Sequence, residues 1–85
     1  MSVSQFSERS TRRWAKRLGL PIAGMWSHGN YVFDFVVPAD GGHRHGAVDA
    51  KTDAVTWRQA PAHYPACRRL FPDDPAVAAR PHAGQ

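Results

Sequence analysis

Residues 31–37 read YVFDFVV and form the clearest strand pattern in the chain. Aromatic and β-branched residues at odd positions alternate with a second set at even positions, and this period of two predicts a β-strand. Asp34 lies in the middle of this apolar run. We therefore expect its side chain to face solvent or a polar partner.

Turn-forming residues on both sides of this strand predict a meander. Residues 22–26 are predicted as a preceding strand, joined through the SHGN sequence at 27–30. The PADGG sequence at 38–42 predicts the next turn, and residues 45–50 and 54–58 then form a hairpin around positions 51–53. The expected sheet has three or four antiparallel strands.

An amphipathic helix is predicted at residues 3–18, before the sheet. Ser2 and Gln5 have the spacing of a capping box, and Gly19 and Pro21 follow as stop signals. At about 100° per residue, Trp14 and Leu18 lie on the face that packs. This helix is expected to cover one face of the sheet.

The predicted fold class is therefore α+β: an N-terminal amphipathic helix packed on a three- to four-stranded antiparallel meander, with a short C-terminal helix. The C-terminal helix is placed at residues 65–71, and a further helical turn is predicted from Asp74. Residues 1–80 are expected to form one small domain, and residues 81–85 a frayed tail. The predicted core consists of Phe6, Trp14, Leu18, Tyr31, Phe33, Phe35, Val48, Val55, Trp57, Leu70 and Phe71.

Residues 48–55, with the sequence VDAKTDAV, resemble the strand–turn–strand phrase of PepSY-type domains, which commonly reads V-D-A-x-T-G-x-V. Asp53 stands where that pattern has glycine. The resemblance covers about a tenth of the chain and implies a hairpin. No function is transferred from it.

Positive charge is concentrated in the first 20 residues. The chain has a net charge of +4, and all of this excess lies in that segment, where Glu8 is the single acidic residue. A concentrated positive field attracts nucleic acid, an anionic membrane or an acidic protein surface. The predicted helix presents the charge on a basic face formed by Arg9, Arg12, Arg13, Lys16 and Arg17.

Two functions fit this pattern. The leading interpretation is a small non-enzymatic regulatory or inhibitory protein that binds a protein partner stoichiometrically, through the basic face and through exposed aromatic residues such as Trp26 and Tyr64. The alternative is a nucleic-acid-binding module whose helix lies along phosphates. Interleaved aromatic residues would favour nucleic acid, but the helical pattern places Trp14 in the core.

A third interpretation is a small zinc-stabilised domain. Its candidate ligands are His43, His45, His63 and Cys67, because imidazole nitrogen and thiolate sulfur are the ligands that zinc prefers. Their spacing is not that of a zinc module, and we expect no cofactor. Catalysis is not expected either, since the pair formed by His63 and Cys67 lacks an oriented base and a pocket.

The lone cysteine, Cys67, excludes a disulfide within the chain. The first six residues lack the basic start and apolar run that are typical of a signal peptide, and no stretch has the roughly 20 apolar residues that span a bilayer. The expected location is the cytoplasm, with no membrane partner. Because a chain of this length has a small core, association with a second copy is a further expectation that the sequence leaves open.

Overall fold

A five-stranded antiparallel sheet, with its strands ordered as they follow in the chain, organises the computed structural model, which describes residues 3–75. The elements are β1 (Ser4–Gln5), α1 (Glu8–Leu18), β2 (Gly24–Ser27), β3 (Val32–Ala39), β4 (Gly42–Asp49), β5 (Val55–Trp57) and α2 (Ala66–Leu70). The α+β class and the antiparallel meander are confirmed. The prediction of three or four strands is wrong, because the described chain forms five.

β3 is the central strand, and its register determines which side chains share a face of the sheet. Asp34 pairs with Trp26 on β2 and with Ala47 on β4, whereas Phe35 pairs with Met25 and Gly46. Successive side chains of a strand point to opposite faces. Odd positions of β3 therefore lie on one side of the sheet, and even positions, including Asp34, lie on the other.

The strand that was not predicted from the sequence is β1, which lies within residues that were expected to be helical. Ser4 and Gln5 pair with Ser27 and Trp26, and the Phe6 amide donates to the Met25 carbonyl oxygen at 2.9 Å. Strand pairing with a distant segment thus replaces the first turn of the predicted helix. The predicted start of the helix at residue 3 is wrong for this reason.

α1 begins at Glu8 because Ser7 is its N-cap. The Ser7 hydroxyl oxygen accepts a hydrogen bond from the Ser10 amide at 3.1 Å, and Glu8 places negative charge in the first turn. At the other end, Gly19 adopts φ 67°, a left-handed conformation that costs glycine little, and it closes the helix as predicted.

The sheet is covered on both sides, and each side has its own core. On the helix side, α1 packs through Trp14 and Leu18 onto a cluster centred on Met25, Phe35, Val37 and Val48. On the opposite side, which we call the C-terminal side, the chain after β5 covers a second cluster. That cluster contains Trp26, Val36, Ala62, Ala66, Cys67 and Phe71.

Two of the predicted core residues lie outside the core. Tyr31 is 63% exposed and Leu70 is 38% exposed. Several residues outside the predicted core are buried instead, among them Met25, Trp26 and Val36. Trp26 on β2 and Val36 on β3 are buried because they belong to the second core, on the C-terminal side of the sheet. A sheet that is covered on both sides buries side chains on both of its faces.

The predicted hairpin at the PepSY-like phrase is present. Val48 pairs with Val55, and Asp53 adopts φ 62°. This is the left-handed conformation that the glycine of the family pattern would adopt with less strain. The short C-terminal helix is also present, as α2, while residues 76–85, including the predicted tail, lie outside the described residues.

Candidate functional site

The basic face of α1 lies on the surface, as the helical pattern predicts. Arg9, Arg12, Arg13, Lys16 and Arg17 are all exposed. Two of them are neutralised: Arg12 forms an ion pair with Glu8 at 2.7 Å, and Arg17 forms one with Asp53 at 2.9 Å. Both pairs are solvent-exposed, so they contribute little to stability.

The other three cations, Arg9, Arg13 and Lys16, have no carboxylate partner among residues 3–75. Their spacings of four and three residues align them in one row along the helix. The row is about 10 Å long at 1.5 Å per residue. Because Trp14 and Leu18 occupy the opposite face, the row faces away from the sheet.

The expectation that Trp26 is exposed is wrong, since only 3% of its surface is accessible. Trp26 is opposite Asp34 on the C-terminal side of the sheet, where Tyr64 stacks on its ring with centroids 4.1 Å apart. Tyr64 itself is half-buried. The pair therefore holds residues of the C-terminal segment against the sheet, and Trp26 does not serve as a surface anchor.

A polar cluster around Asp34 lies beside this aromatic pair, and we call it the Asp34 cluster. The Tyr64 hydroxyl donates to Asp34 Oδ2 at 2.5 Å, and His28 Nε2 lies 3.2 Å from the same oxygen and 2.5 Å from the Tyr64 oxygen. Arg58 approaches Asp34 Oδ1 at 3.9 Å. The carboxylate side chain is 14% exposed, so these contacts compensate a largely desolvated charge.

The hydrogen bonds of the cluster are satisfied together by one tautomer of His28. With a proton on Nε2, His28 shares its N–H between the Tyr64 oxygen and Asp34 Oδ2, while the Tyr64 hydroxyl donates to the carboxylate. Burial raises the pKa of Tyr64, and the hydrogen bond and charge of Asp34 raise it further. The phenol therefore stays protonated and donates to Asp34 across the physiological range.

His45 completes the cluster without a good hydrogen bond. Its Nε2 is buried without a hydrogen-bond partner and lies 3.4 Å from Asp34 Oδ2. Burial lowers the pKa of His45 below its ordinary value of 6.5, against the opposing attraction of Asp34. The imidazole is consequently neutral at pH 7.

This lowered pKa predicts a dependence of stability on pH. Below about pH 6.5 the unfolded chain binds a proton at His45 that the folded chain resists, so the free energy of unfolding falls as the pH drops. One proton accounts for at most about 1.4 kcal/mol per pH unit. Urea unfolding at pH 7.5 and at pH 5.5 should show a larger loss for the wild type than for His45→Gln. Equal losses in the two proteins would remove His45 as the cause.

The four candidate zinc ligands do not converge. His43 bonds to the Asp74 carboxylate and accepts from the Ala62 amide at 3.1 Å, while His45 faces Asp34. His63 is exposed and Cys67 is buried in the second core. Within residues 3–75, no group of three or more histidine, cysteine or acidic side chains has the geometry to hold a metal ion.

Sequence reasoning missed the Asp34 cluster except for its centre. A carboxylate in the middle of an apolar strand indicated that Asp34 has a polar partner. The partners come from residues 28, 45, 58 and 64, which no local pattern connects. Their meeting is decided by strand register and by the path of the segment after β5.

Comparisons with known protein families, with curated proteins and with solved structures find no match for this chain. Neither α1 nor α2 has the length and hydrophobicity that spanning a bilayer requires, and residues 3–75 contain no other candidate for a membrane span.

Proposed function

We propose that this chain is a small non-enzymatic regulatory or inhibitory protein that binds an acidic surface of a protein partner stoichiometrically through the basic face of α1. The observation that carries the proposal is the row formed by Arg9, Arg13 and Lys16, which is exposed and has no carboxylate partner in the described chain. An acidic partner would supply the missing counter-charges and would be steered toward the row before contact.

An exposed aromatic residue, Tyr31, is linked through the turn between β4 and β5 to the C-terminal end of α1. The Arg17–Asp53 ion pair joins the end of α1 to the turn between β4 and β5, and Lys51 of that turn lies 4.0 Å from the centre of the Tyr31 ring. Aromatic residues next to charge are typical anchors of protein interfaces. In this proposal, Tyr31 takes the anchoring role first assigned to Trp26.

The position of Trp14 favours a protein over single-stranded nucleic acid as the partner. Binding of single strands depends on aromatic side chains that stack on bases between the cations. Trp14 instead packs edge-on against Phe33 on the helix side of the sheet, with ring centroids 5.7 Å apart. The row of cations therefore has electrostatic attraction for phosphates but no stacking surface of its own.

Reversing one charge in the middle of the row should weaken partner binding. We expect Arg13→Glu to lower affinity by about tenfold or more, equivalent to at least about 1.4 kcal/mol, because an attraction becomes a repulsion. Glu at position 13 lies one turn from Arg9 and from Arg17, so the helix itself should be retained. The measurement is affinity capture from a lysate of the source cells, with the retained protein quantified by mass spectrometry and then titrated in purified form.

Arg44→Glu is the matched control, since it changes the net charge equally at an exposed position of β4, where Arg44 lies over Trp57. It should bind the partner as the wild type does. Nuclease treatment should leave the capture unchanged. Binding of labelled DNA or RNA that collapses between about 50 and 200 mM salt, together with loss of the captured protein after nuclease, would establish the nucleic-acid function instead.

A further inference from the structure

Two grooves flank the outer edge of the sheet at β1, one on each side. The groove on the C-terminal side has a volume of about 500 Å³, and its walls include Val3, Trp26, Tyr64 and Arg69. The groove on the helix side, of about 410 Å³, includes Phe6, Thr11 and Ile22 in its walls. Gln5 lines both grooves, so the edge strand runs along the ridge between them.

The backbone of this ridge has hydrogen-bonding groups directed outward. Paired groups alternate along an antiparallel ladder, and the Phe6 amide bonds to the Met25 carbonyl oxygen of β2. The N–H and C=O of Gln5, one residue earlier, therefore point away from β2. No other strand among residues 3–75 lies beyond β1. An unpaired edge of this kind is a template for an incoming strand.

The groove on the C-terminal side also has a charge preference. Its walls contain the cation of Arg69 and no carboxylate among the described residues. Much of the lining of the groove is apolar, since Trp26, Pro65 and Ala66 contribute to it. The groove therefore favours an entering side chain that has a carboxylate, which would lie at the rim next to Arg69.

We propose that the β1 edge binds an extended, acidic segment of a partner protein by strand addition. The backbone of that segment pairs with the N–H and C=O of Gln5, and its side chains enter the two grooves alternately, as the pleat of a strand requires. A carboxylate of the segment lies beside Arg69. This inference rests on the sheet edge, and it does not depend on the proposed role of α1.

The test uses a capped peptide, acetyl-EVEVE-amide, titrated into the ¹⁵N-labelled full chain and followed by NMR. We expect millimolar or tighter binding that shifts the backbone amide of Gln5 and the indole N–H of Trp26. Two matched peptides separate the contributions. Acetyl-KVKVK-amide tests charge, and the acidic peptide methylated at its central amide nitrogens tests backbone pairing; both should bind at least tenfold more weakly.

Variants of the edge complete the test. Gln5→Pro removes the outward N–H without removing a bond to β2, and proline is tolerated on edge strands, so the fold should persist while peptide affinity falls at least tenfold. Gln5→Thr keeps the N–H and should bind as the wild type does. Absence of shifts at millimolar peptide, or equal binding by Gln5→Pro, would overturn the proposal. So would a wild-type dimer that Gln5→Pro dissociates, because the occupant would then be a second copy of the chain.

Discussion

Replacing Phe35 with alanine is expected to remove about 3–5 kcal/mol of stability, the usual loss when a buried phenylalanine is truncated. Phe35 has no accessible surface and packs edge-on against Trp57, with ring centroids 5.4 Å apart. It also covers Gly46, its partner on β4, where a Cβ atom would lie 2.5 Å from the ring. Small domains have little stability to lose, so a loss of this size should unfold a large fraction of the chain.

Urea unfolding followed by circular dichroism measures this loss, with Tyr31→Ala as its control. Tyr31 belongs to the same alternating stretch of sequence, but it lies just before β3 and 63% of it is exposed. Its truncation should cost less than about 1 kcal/mol, since little surface is withdrawn from water. Similar losses for the two variants would contradict the placement of the core on the helix side.

The contrast between Phe35 and Tyr31 shows how far the alternating pattern could predict the fold. The period of two correctly places Phe33 and Phe35 on one side of the sheet, whereas Tyr31 lies just before the start of β3. It carries no information on how much of that side is covered, which depends on where α1, an 11-residue helix, lies across the strands. Burial of Tyr31 was therefore predicted from the pattern, whereas its exposure follows from tertiary packing.

The second core, on the C-terminal side, could not be predicted from the sequence for a related reason. Trp26 and Val36 are covered by the segment after β5, which is rich in proline and alanine and has little regular structure besides α2. Such a segment has no periodicity that would indicate which face it covers. Val36 was accordingly left out of the predicted core, although it has no accessible surface.

The two parts of the candidate site differ in the same way. The basic face depends on residues three and four apart on one helix, so the sequence alone predicts it. The Asp34 cluster joins Asp34 to Tyr64, which is 30 residues later, and to His28 in the turn before β3. Contacts of this kind depend on the final fold, and the sequence indicated only that Asp34 needs a partner.

Replacing Asp34 with asparagine should destabilise the chain by about 2–3 kcal/mol, even though the substitution is nearly isosteric. The neutral amide cannot compensate the positive charge of Arg58. In addition, its NH₂ group is a hydrogen-bond donor that would face one of the donors that now bond to the carboxylate. Asp40→Asn makes the same change of charge in the exposed turn between β3 and β4. That variant should stay within about 0.5 kcal/mol of the wild type by the same urea measurement.

A double-mutant cycle identifies what the Asp34 cluster holds in place. Tyr64→Phe removes the hydroxyl but keeps the stack on Trp26, so it should lower the free energy of unfolding by about 1–2 kcal/mol. The variant that combines Asp34→Asn with Tyr64→Phe should lose about 1 kcal/mol less than the sum of the two single losses. In NMR spectra of Asp34→Asn, the amides of α2 should shift while those of α1 should not. If the hydrogen bond from the Tyr64 hydroxyl to Asp34 anchors the C-terminal segment to β3, the effects of the two substitutions must be coupled. Additive losses would therefore mean that Tyr64 is held by its stack on Trp26 alone.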